Sequence, residues 1–277
     1  SVWQLGFSQA LLEEARRLVA EADQPQPSDA RRLDLTAQRV LTIDDEDTKE
    51  IDDGVALETM PSGSVRLWIH IADPGRLITP GSPLDLEARR RGSSLYLACG
   101  TLPMFPPLLA HGPMSLRQGE RSAAWSLWVD LDEAGAVRAR GVERSWIRPT
   151  YRLSYADADE LIELAPPQEA ELLGLQALLS LRRQWRLAQG ALLMDDPEGR
   201  IRCRDGVAEV EIVEPSSSRS LVAEAMVLAG AVVADLGREA GVALPFRSQP
   251  PSDLPTQAAL NELSSGPVRH AAIKRCL

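Results

Sequence analysis

The hydrophobic pattern along the chain changes from strand spacing to helix spacing. An amphipathic helix is predicted at 8–22, with Ser8 as a candidate N-cap. After a Pro-containing linker, the first half carries short apolar or alternating runs, which are typical of strands. The predicted strands are 39–43, 54–59, 65–71, 124–131 and 137–147.

The second half has its apolar residues mainly at helical spacing. Ser154 is a candidate N-cap for the first of these helices, and the most apolar one is expected to be buried on most sides. The predicted helices are 83–91, 155–164, 168–190, 218–240 and 266–276. A hairpin over 201–213, turning at Asp205–Gly206, and a short strand at 243–247 are also predicted, whereas the prolines at 103–113 predict irregular structure. Early strands and late helices indicate an α+β fold.

Composition is that of an ordinary globular protein, with 277 residues of which 44% are hydrophobic. The length fits one large domain or two small ones. The sequence contains no run of about 18 apolar residues, so no membrane span is predicted. The N-terminus does not resemble a signal peptide. Cys99, Cys203 and Cys276 are widely spaced, which disfavours a zinc site or a disulfide framework, so a cytoplasmic setting is expected.

The net charge of −10 argues, by itself, against a nucleic-acid-binding protein. Arginines are nevertheless grouped at 138–152, around Trp185 at 182–186, and at 200–204. These groups are either solvated surface residues or part of a path for phosphates, and their spacing leaves both interpretations open.

The segment 44–53 contains seven carboxylates in ten residues. Like charges at this density repel one another unless solvent or cations intervene. One interpretation is a solvated acidic loop, and the other is a Mg²⁺ site, because Mg²⁺ prefers oxygen ligands and shares them with phosphate. Ile43 and Ile51 favour the second, since they would pin the segment against a core. An EF-hand is disfavoured because the central glycine is missing.

The segment Thr42–Asp53 resembles the signature of the ribonuclease II/R superfamily, T-I-D-x-E-D-x-[KR]-[DE]-x-D-D. Further blocks resemble this family in the same order, including WIHIAD at 68–73, the stretch 80–97, LPMFP at 102–106, RLSY at 152–155 and LVAEAM at 221–226. The resemblance covers about residues 38–247. The chain also resembles the short cyanobacterial or plastid branch of the family.

The resemblance implies an RNB-type α+β catalytic domain with a mixed or antiparallel sheet, β-rich in its first half and helix-rich in its second. It places the domain at 37–277, after an N-terminal helix and linker at 1–36. It further implies that this domain is partial, because a family segment with a basic residue that stabilises the transition state is expected beyond 277.

The family's metal-site acids fall on Asp44, Glu50, Asp52 and Asp53. The family usually has Asp at the position of Glu50, and the extra methylene moves the carboxylate outward by roughly one bond length. The residues implied to contact substrate are Tyr96, Tyr155 and Glu224. His70 and Asp73 are expected to support the sheet, and His111 is expected to be an isolated surface or core residue.

The implied activity is Mg²⁺-dependent hydrolysis of single-stranded RNA from its 3′ end to nucleoside 5′-monophosphates, with Mn²⁺ as an alternative metal. Neither a membrane nor DNA is an expected partner, and the sequence leaves the oligomeric state undetermined. Glu50 motivates an alternative: an inactive or weakened RNB protein that binds RNA or regulates. A folded scaffold whose acidic loop binds no metal is a third interpretation.

Overall fold

A seven-stranded mixed sheet forms the centre of the fold, in a computed structural model that describes residues 6–193, 197–204, 206–248, 253–264 and 266–276. The strands of this sheet are β1 (Leu33–Asp34), β2 (Val40–Asp44), β3 (Asp53–Thr59), β4 (Val65–Ala72), β7 (Ser122–Leu131), β8 (Val137–Ile147) and β9 (Pro149–Ser154). Their order is β1-β8-β7-β4-β3-β2-β9, with parallel pairing only at the two ends, β1 with β8 and β2 with β9. Two further antiparallel hairpins are β5 (Leu95–Leu97) with β6 (Gly100–Leu102), and β10 (Glu198–Arg204) with β11 (Val207–Val213).

Within the described residues, eight helices accompany the sheet. They are α1 (Gln9–Glu21), α2 (Pro83–Arg91), α3 (Pro107–Ala110), α4 (Tyr155–Leu164), α5 (Ala170–Ala188), α6 (Ser217–Glu239), α7 (Gln257–Asn261) and α8 (Pro267–Lys274). The long helices α4, α5 and α6 pack on one face, where Val55 and Leu57 of β3 point. Ala56, which alternates with them, points to the opposite face and packs with Trp68 and Ile147. These observations confirm the predicted α+β class.

The helix α6 buries one side rather than most of its surface, contrary to the expectation from its apolar sequence. Leu221, Ala225 and Leu228 face the core, whereas Val227 is 44% exposed. Among the described helices, α6 alone has the length and apolar composition that a membrane crossing needs, but its inner side packs in the protein core.

Most predicted elements are confirmed, and the exceptions have physical causes. The prediction of a strand at 243–247 is wrong. This segment pairs with no described strand, and its Leu244 instead packs against Gly237 of α6. The Pro-rich segment contains the short helix α3, which begins at Pro107, a position where proline costs no hydrogen bond. The hairpin over 201–213 forms, although Asp205 of its predicted turn lies outside the described residues.

Candidate active site

The acidic segment joins the adjacent ends of two neighbouring strands of the central sheet. Asp44 ends β2 and Asp53 begins β3, and the two strands are paired through Leu41 and Val55. Ile51 is 4% exposed between the acids, and its N–H donates to Ser115 Oγ at 2.9 Å. The predicted pinning of the segment to the core is therefore confirmed, and the neighbouring acids are held at fixed positions.

Burial and mutual repulsion perturb two of these acids. Burial, together with the charges of Glu50 and Asp44, raises the pKa of Asp52 to about 6. Burial likewise raises the pKa of Asp53 to about 7, with contributions from Asp44 and Asp52. The fold thus brings the four predicted acids close enough for their charges to act on one another, and no cation of the described residues lowers the pKa of Asp52 or Asp53.

Glu50 occupies the rim of an adjacent cleft of about 420 Å³. Ser94 and Tyr96 donate hydrogen bonds to its Oε2 at 3.2 and 3.4 Å. His111 Nε2 lies 3.6 Å from the other oxygen, Oε1, which is buried and has no hydrogen-bond partner. The expectation that His111 is isolated is therefore wrong. His111 follows Glu50 by 61 positions in the sequence, but the fold brings the two side chains together. Asp52 also lines the cleft.

The three residues predicted to contact substrate have different surroundings. Tyr96 is 68% exposed at the cleft beside Glu50. Tyr155 is half-buried, and burial together with the charges of Asp44 and Asp53 raises its pKa to about 12, which places it at the acidic cluster. Glu224 instead lies buried between α5 and α6, where it accepts a hydrogen bond from Arg186 at 2.7 Å. The structure therefore brings two of the three to the acids and orients Glu224 toward α5.

Arginines from distant segments hold the outer part of the acidic segment, and sequence reasoning did not assign them this task. Asp45 accepts from Arg200 at 2.6 Å and from Arg219 at 2.7 Å. Arg202 binds Asp47 at 2.7 Å. The described part of the 200–204 group is thus paired with the acidic segment rather than free to line a phosphate path. Arg200 and Arg202 alternate along one strand, which indicates in the sequence that they share a face. That spacing does not reveal which acids they bind.

Arg152 has a related role on the other side of the acidic segment. Its guanidinium donates to the carbonyl oxygens of Glu46 and Thr48 at 2.8 and 2.7 Å. Arginines thus bind the backbone carbonyls and the outer carboxylates of the segment, while Asp44, Asp52 and Asp53 have no arginine partner among the described residues. The arrangement separates structural acids from acids that are available to a ligand.

The donor chemistry of the cluster suits a hard divalent cation, because all four side chains offer carboxylate oxygens. The buried, unpartnered Oε1 of Glu50 and the raised pKa values of Asp52 and Asp53 point to the same need for positive charge. Within the described residues, however, no three acidic, His or Cys side chains are arranged closely enough to hold a metal ion. The residues thus fit Mg²⁺ in chemistry, without forming a preassembled coordination shell.

Comparison with known proteins gives a consistent result. The chain matches the RNB domain family over residues 32–274. It is 49% identical over 254 residues to an uncharacterized ribonuclease of Synechocystis, covering 91% of this chain and 38% of the relative. It is 40% identical over 280 residues to the chloroplastic/mitochondrial ribonuclease II of Arabidopsis thaliana, covering 98% of this chain and 34% of the relative. The chain therefore spans little more than a third of these curated relatives.

A solved structure supports the fold. RNase R of Mycoplasma genitalium, in complex with ribose-methylated single-stranded RNA, superposes with a TM-score of 0.80 at 20% identity, covering 88% of this chain and 39% of that one. At this identity the similarity bears on the fold alone. The predicted resemblance to the ribonuclease II/R group, including its cyanobacterial and plastid relatives, is confirmed by the sequence matches.

Proposed function

Because the chain belongs to the RNB-domain family, we propose that it is a Mg²⁺-dependent exoribonuclease that shortens single-stranded RNA from its 3′ end to nucleoside 5′-monophosphates. The observation that carries the proposal is the cluster of Asp44, Asp52 and Asp53, whose carboxylates meet where β2 ends and β3 begins, without an arginine partner among the described residues. The names of the relatives, which are ribonucleases, support the same reaction class.

Asp44, Glu50, Asp52 and Asp53 would hold the metal, with Mn²⁺ as an alternative to Mg²⁺. When bound, the metal supplies positive charge that makes water nucleophilic at neutral pH and offsets the charge on the phosphate. Glu50 would be oriented for this by the hydroxyls of Ser94 and Tyr96. The buried Ile51 keeps the carboxylates from moving apart, since its backbone is tied to Ser115 and Leu116.

The chain's own residues would also position the RNA. Tyr96 exposes its ring at the cleft, where a base can stack without sequence preference. Tyr155 would contact the terminal nucleotide from the side of Asp44 and Asp53. Glu224 is paired with Arg186, so it would influence the substrate indirectly, by positioning that arginine. Contacts to the 2′-hydroxyl would select RNA over DNA, and we place the reaction in the cytoplasm.

A single-turnover assay on 5′-labelled single-stranded RNA tests this proposal. With Mg²⁺, the chain is expected to give a ladder of shortened products, and Asp52→Asn is expected to lower the rate at least about 100-fold, because a proposed metal ligand is lost. Asp47→Asn is the matched control, since Asp47 is an exposed acid of the same segment that pairs with Arg202. A DNA strand of the same sequence should remain intact.

The departure at Glu50 favours a second candidate, an RNB protein that binds RNA without cleaving it. The same assay separates the two functions when it is run beside a binding titration. RNA retention without shortening, equal for the unmodified chain and Asp52→Asn, would contradict the exoribonuclease and support the binding protein. A rate that is insensitive to Asp52→Asn would refute the assignment of the acids.

A further inference from the structure

Two cysteines that are far apart in sequence meet at the junction of two hairpins. Cys99 lies in the turn between β5 and β6 and is exposed, while Cys203 lies on β10 and is half-buried. The N–H of Cys203 donates to the carbonyl oxygen of Ala98, the residue directly before Cys99, at 2.9 Å. Both cysteines are free thiols.

This hydrogen bond sets the separation of the two cysteines. Because the carbonyl oxygen of Ala98 belongs to the peptide bond that leads into Cys99, a 2.9 Å bond from it to the Cys203 nitrogen keeps the Cα atoms of the two cysteines within about 7 Å, the upper limit for a disulfide. The side chains also interact, because the neighbouring Cys203 thiol raises the pKa of the Cys99 thiol. The pair is therefore close enough for a disulfide to form with at most a small adjustment of the turn that carries Cys99.

We propose that Cys99 and Cys203 form a reversible dithiol–disulfide site whose oxidant is a low-molecular-weight disulfide such as oxidised glutathione. The exposed Cys99 thiolate attacks one sulfur of the oxidant, the S–S bond of the oxidant breaks, and one thiolate leaves. The Cys203 thiolate then attacks the resulting mixed disulfide at Cys99 and releases the other half. The two cysteines lose two electrons, and the two thiols formed from the oxidant take up the two protons.

The site joins structural parts that both contact the acidic segment. The β5–β6 hairpin carries Tyr96, which donates to Glu50, and β10 carries Arg200 and Arg202, which bind Asp45 and Asp47. The two hairpins and the acidic segment thus form a closed ring of contacts, and the backbone bond between Cys203 and Ala98 is one link of it. A disulfide would lock this link and restrict the movement of Tyr96 relative to β10.

Peptide mapping of the whole chain tests the proposal without reference to RNA cleavage. The protein is equilibrated in glutathione buffers of increasing oxidised fraction, remaining thiols are alkylated, and tryptic peptides are analysed by mass spectrometry. The expected result is one cross-linked species that joins the peptides of Cys99 and Cys203, grows with the oxidised fraction and disappears with dithiothreitol. Cys276 should remain open to alkylation, so Cys276→Ser should give the same cross-link.

Hydrogen exchange gives a second readout of the same link. Oxidation is expected to slow exchange of amides in β5, β6 and β10 in the unmodified chain, and to leave exchange unchanged in Cys99→Ser and Cys203→Ser. Separate glutathione adducts on Cys99 and Cys203 across the whole redox range would overturn the proposal, as would cross-links that include Cys276 as often as Cys203. Because the unmodified chain carries the main readout, a poorly folded variant would not obscure the answer.

Discussion

Glu50 combines a longer side chain than the Asp that the family resemblance implies with three neighbours suited to that length. Its Oε2 accepts from Ser94 and Tyr96, and its Oε1 faces His111. Shortening the side chain by one methylene would withdraw both oxygens by roughly one bond length. The residue is therefore better explained as part of a locally adjusted site than as the remnant of a lost one.

Glu50→Asp is accordingly expected to impair the site, although it restores the residue type that the family resemblance implies. The Mg²⁺ concentration that gives half the maximal rate of RNA degradation should rise by roughly 10-fold, the scale on which losing an orienting partner weakens metal sites. The measurement is the rate at increasing Mg²⁺. Glu46→Asp, an exposed acid of the same segment, serves as the control. A faster or unchanged rate in Glu50→Asp would show that the neighbours do not tune the site.

His70 gives a prediction about pH and stability. It is fully buried, its Nδ1 shares a 2.7 Å hydrogen bond with Ser126, and Nε2 has no partner. Burial lowers the pKa of His70 to about 3. The unfolded chain therefore binds a proton near pH 6.5 that the folded chain rejects, so this residue makes the free energy of unfolding fall as the pH drops from about 6.5 toward 3.

At pH 5 the effect of His70 should be about 2 kcal/mol relative to pH 8, from 1.36 kcal/mol per pKa unit. Urea unfolding of the protein and of His70→Gln at both pH values measures it. The variant is expected to be less stable at pH 8, because it disturbs the bond to Ser126, but to lose less stability on acidification. An identical pH dependence in the two proteins would mean that His70 has the same pKa in the folded and unfolded states.

At the scale of elements, the β10–β11 hairpin depends on ion pairs for its attachment. The side chains of Ile201 and Val210 are exposed, so the hairpin contributes little apolar burial there. Asp45 instead binds Arg200 on β10 and Arg219 on α6. The carboxylate thus connects the acidic segment, the hairpin and a core helix.

Asp45→Asn is expected to loosen this attachment while the global fold remains intact. Partly exposed ion pairs contribute roughly 0.2–1 kcal/mol each, so the free energy of unfolding should fall by about 1 kcal/mol. Amide exchange in 198–204 and 206–213 should accelerate much more than exchange in β3 and β4, because the opening is local. Asp47→Asn, which removes one exposed pair with Arg202, should have a smaller effect. Uniform acceleration throughout the sheet would contradict a local role.

Elements encoded by local signals are those that the sequence predicts well. The helix α4 is found at its predicted residues, because Ser154 and Asp157 form a capping box within its first turn. The edge strand β9 was missed, since it exists only through parallel pairing with β2, more than a hundred residues earlier. The strand predicted at 243–247 does not form, because its apolar residues do not pair with another strand. Leu244 packs on α6 instead.

The same distinction holds for the site in the whole molecule. Asp44, Asp52 and Asp53 could be predicted to lie together, because the strands that carry them are joined by one short segment. Their surroundings could not, since Arg219 reaches Asp45 across 174 positions and Arg200 across 155. Sequence spacing therefore predicts which acids converge, while long-range packing decides which of them receive a counter-charge.

Asp45 and Asp47 are paired with arginines, whereas Asp52 and Asp53 have no such partner among the described residues. Repulsion among the unpaired acids is therefore expected to lower the free energy of unfolding when no cation is bound. Asp53 is half-buried beside Asp44 and Asp52, and its pKa is raised by burial and by both charges. Asp53→Asn removes one of the repelling charges at nearly constant volume. We expect the variant without Mg²⁺ to melt about 2–4 °C above the unmodified chain, the shift that roughly 1 kcal/mol produces in a protein of this size.

Addition of Mg²⁺ should reverse the order of stability. A ligand that binds only the folded state raises the melting temperature with its concentration, so the unmodified chain should gain stability through Mg²⁺ and Asp53→Asn should gain much less. Thermal unfolding in EDTA and at increasing Mg²⁺ measures both effects, with Glu133→Gln as a control for an exposed acid in the β7–β8 turn. If Asp53→Asn were less stable than the unmodified chain in EDTA, the carboxylates would be stabilising the fold themselves. An equal Mg²⁺ response in the two proteins would place the cation elsewhere.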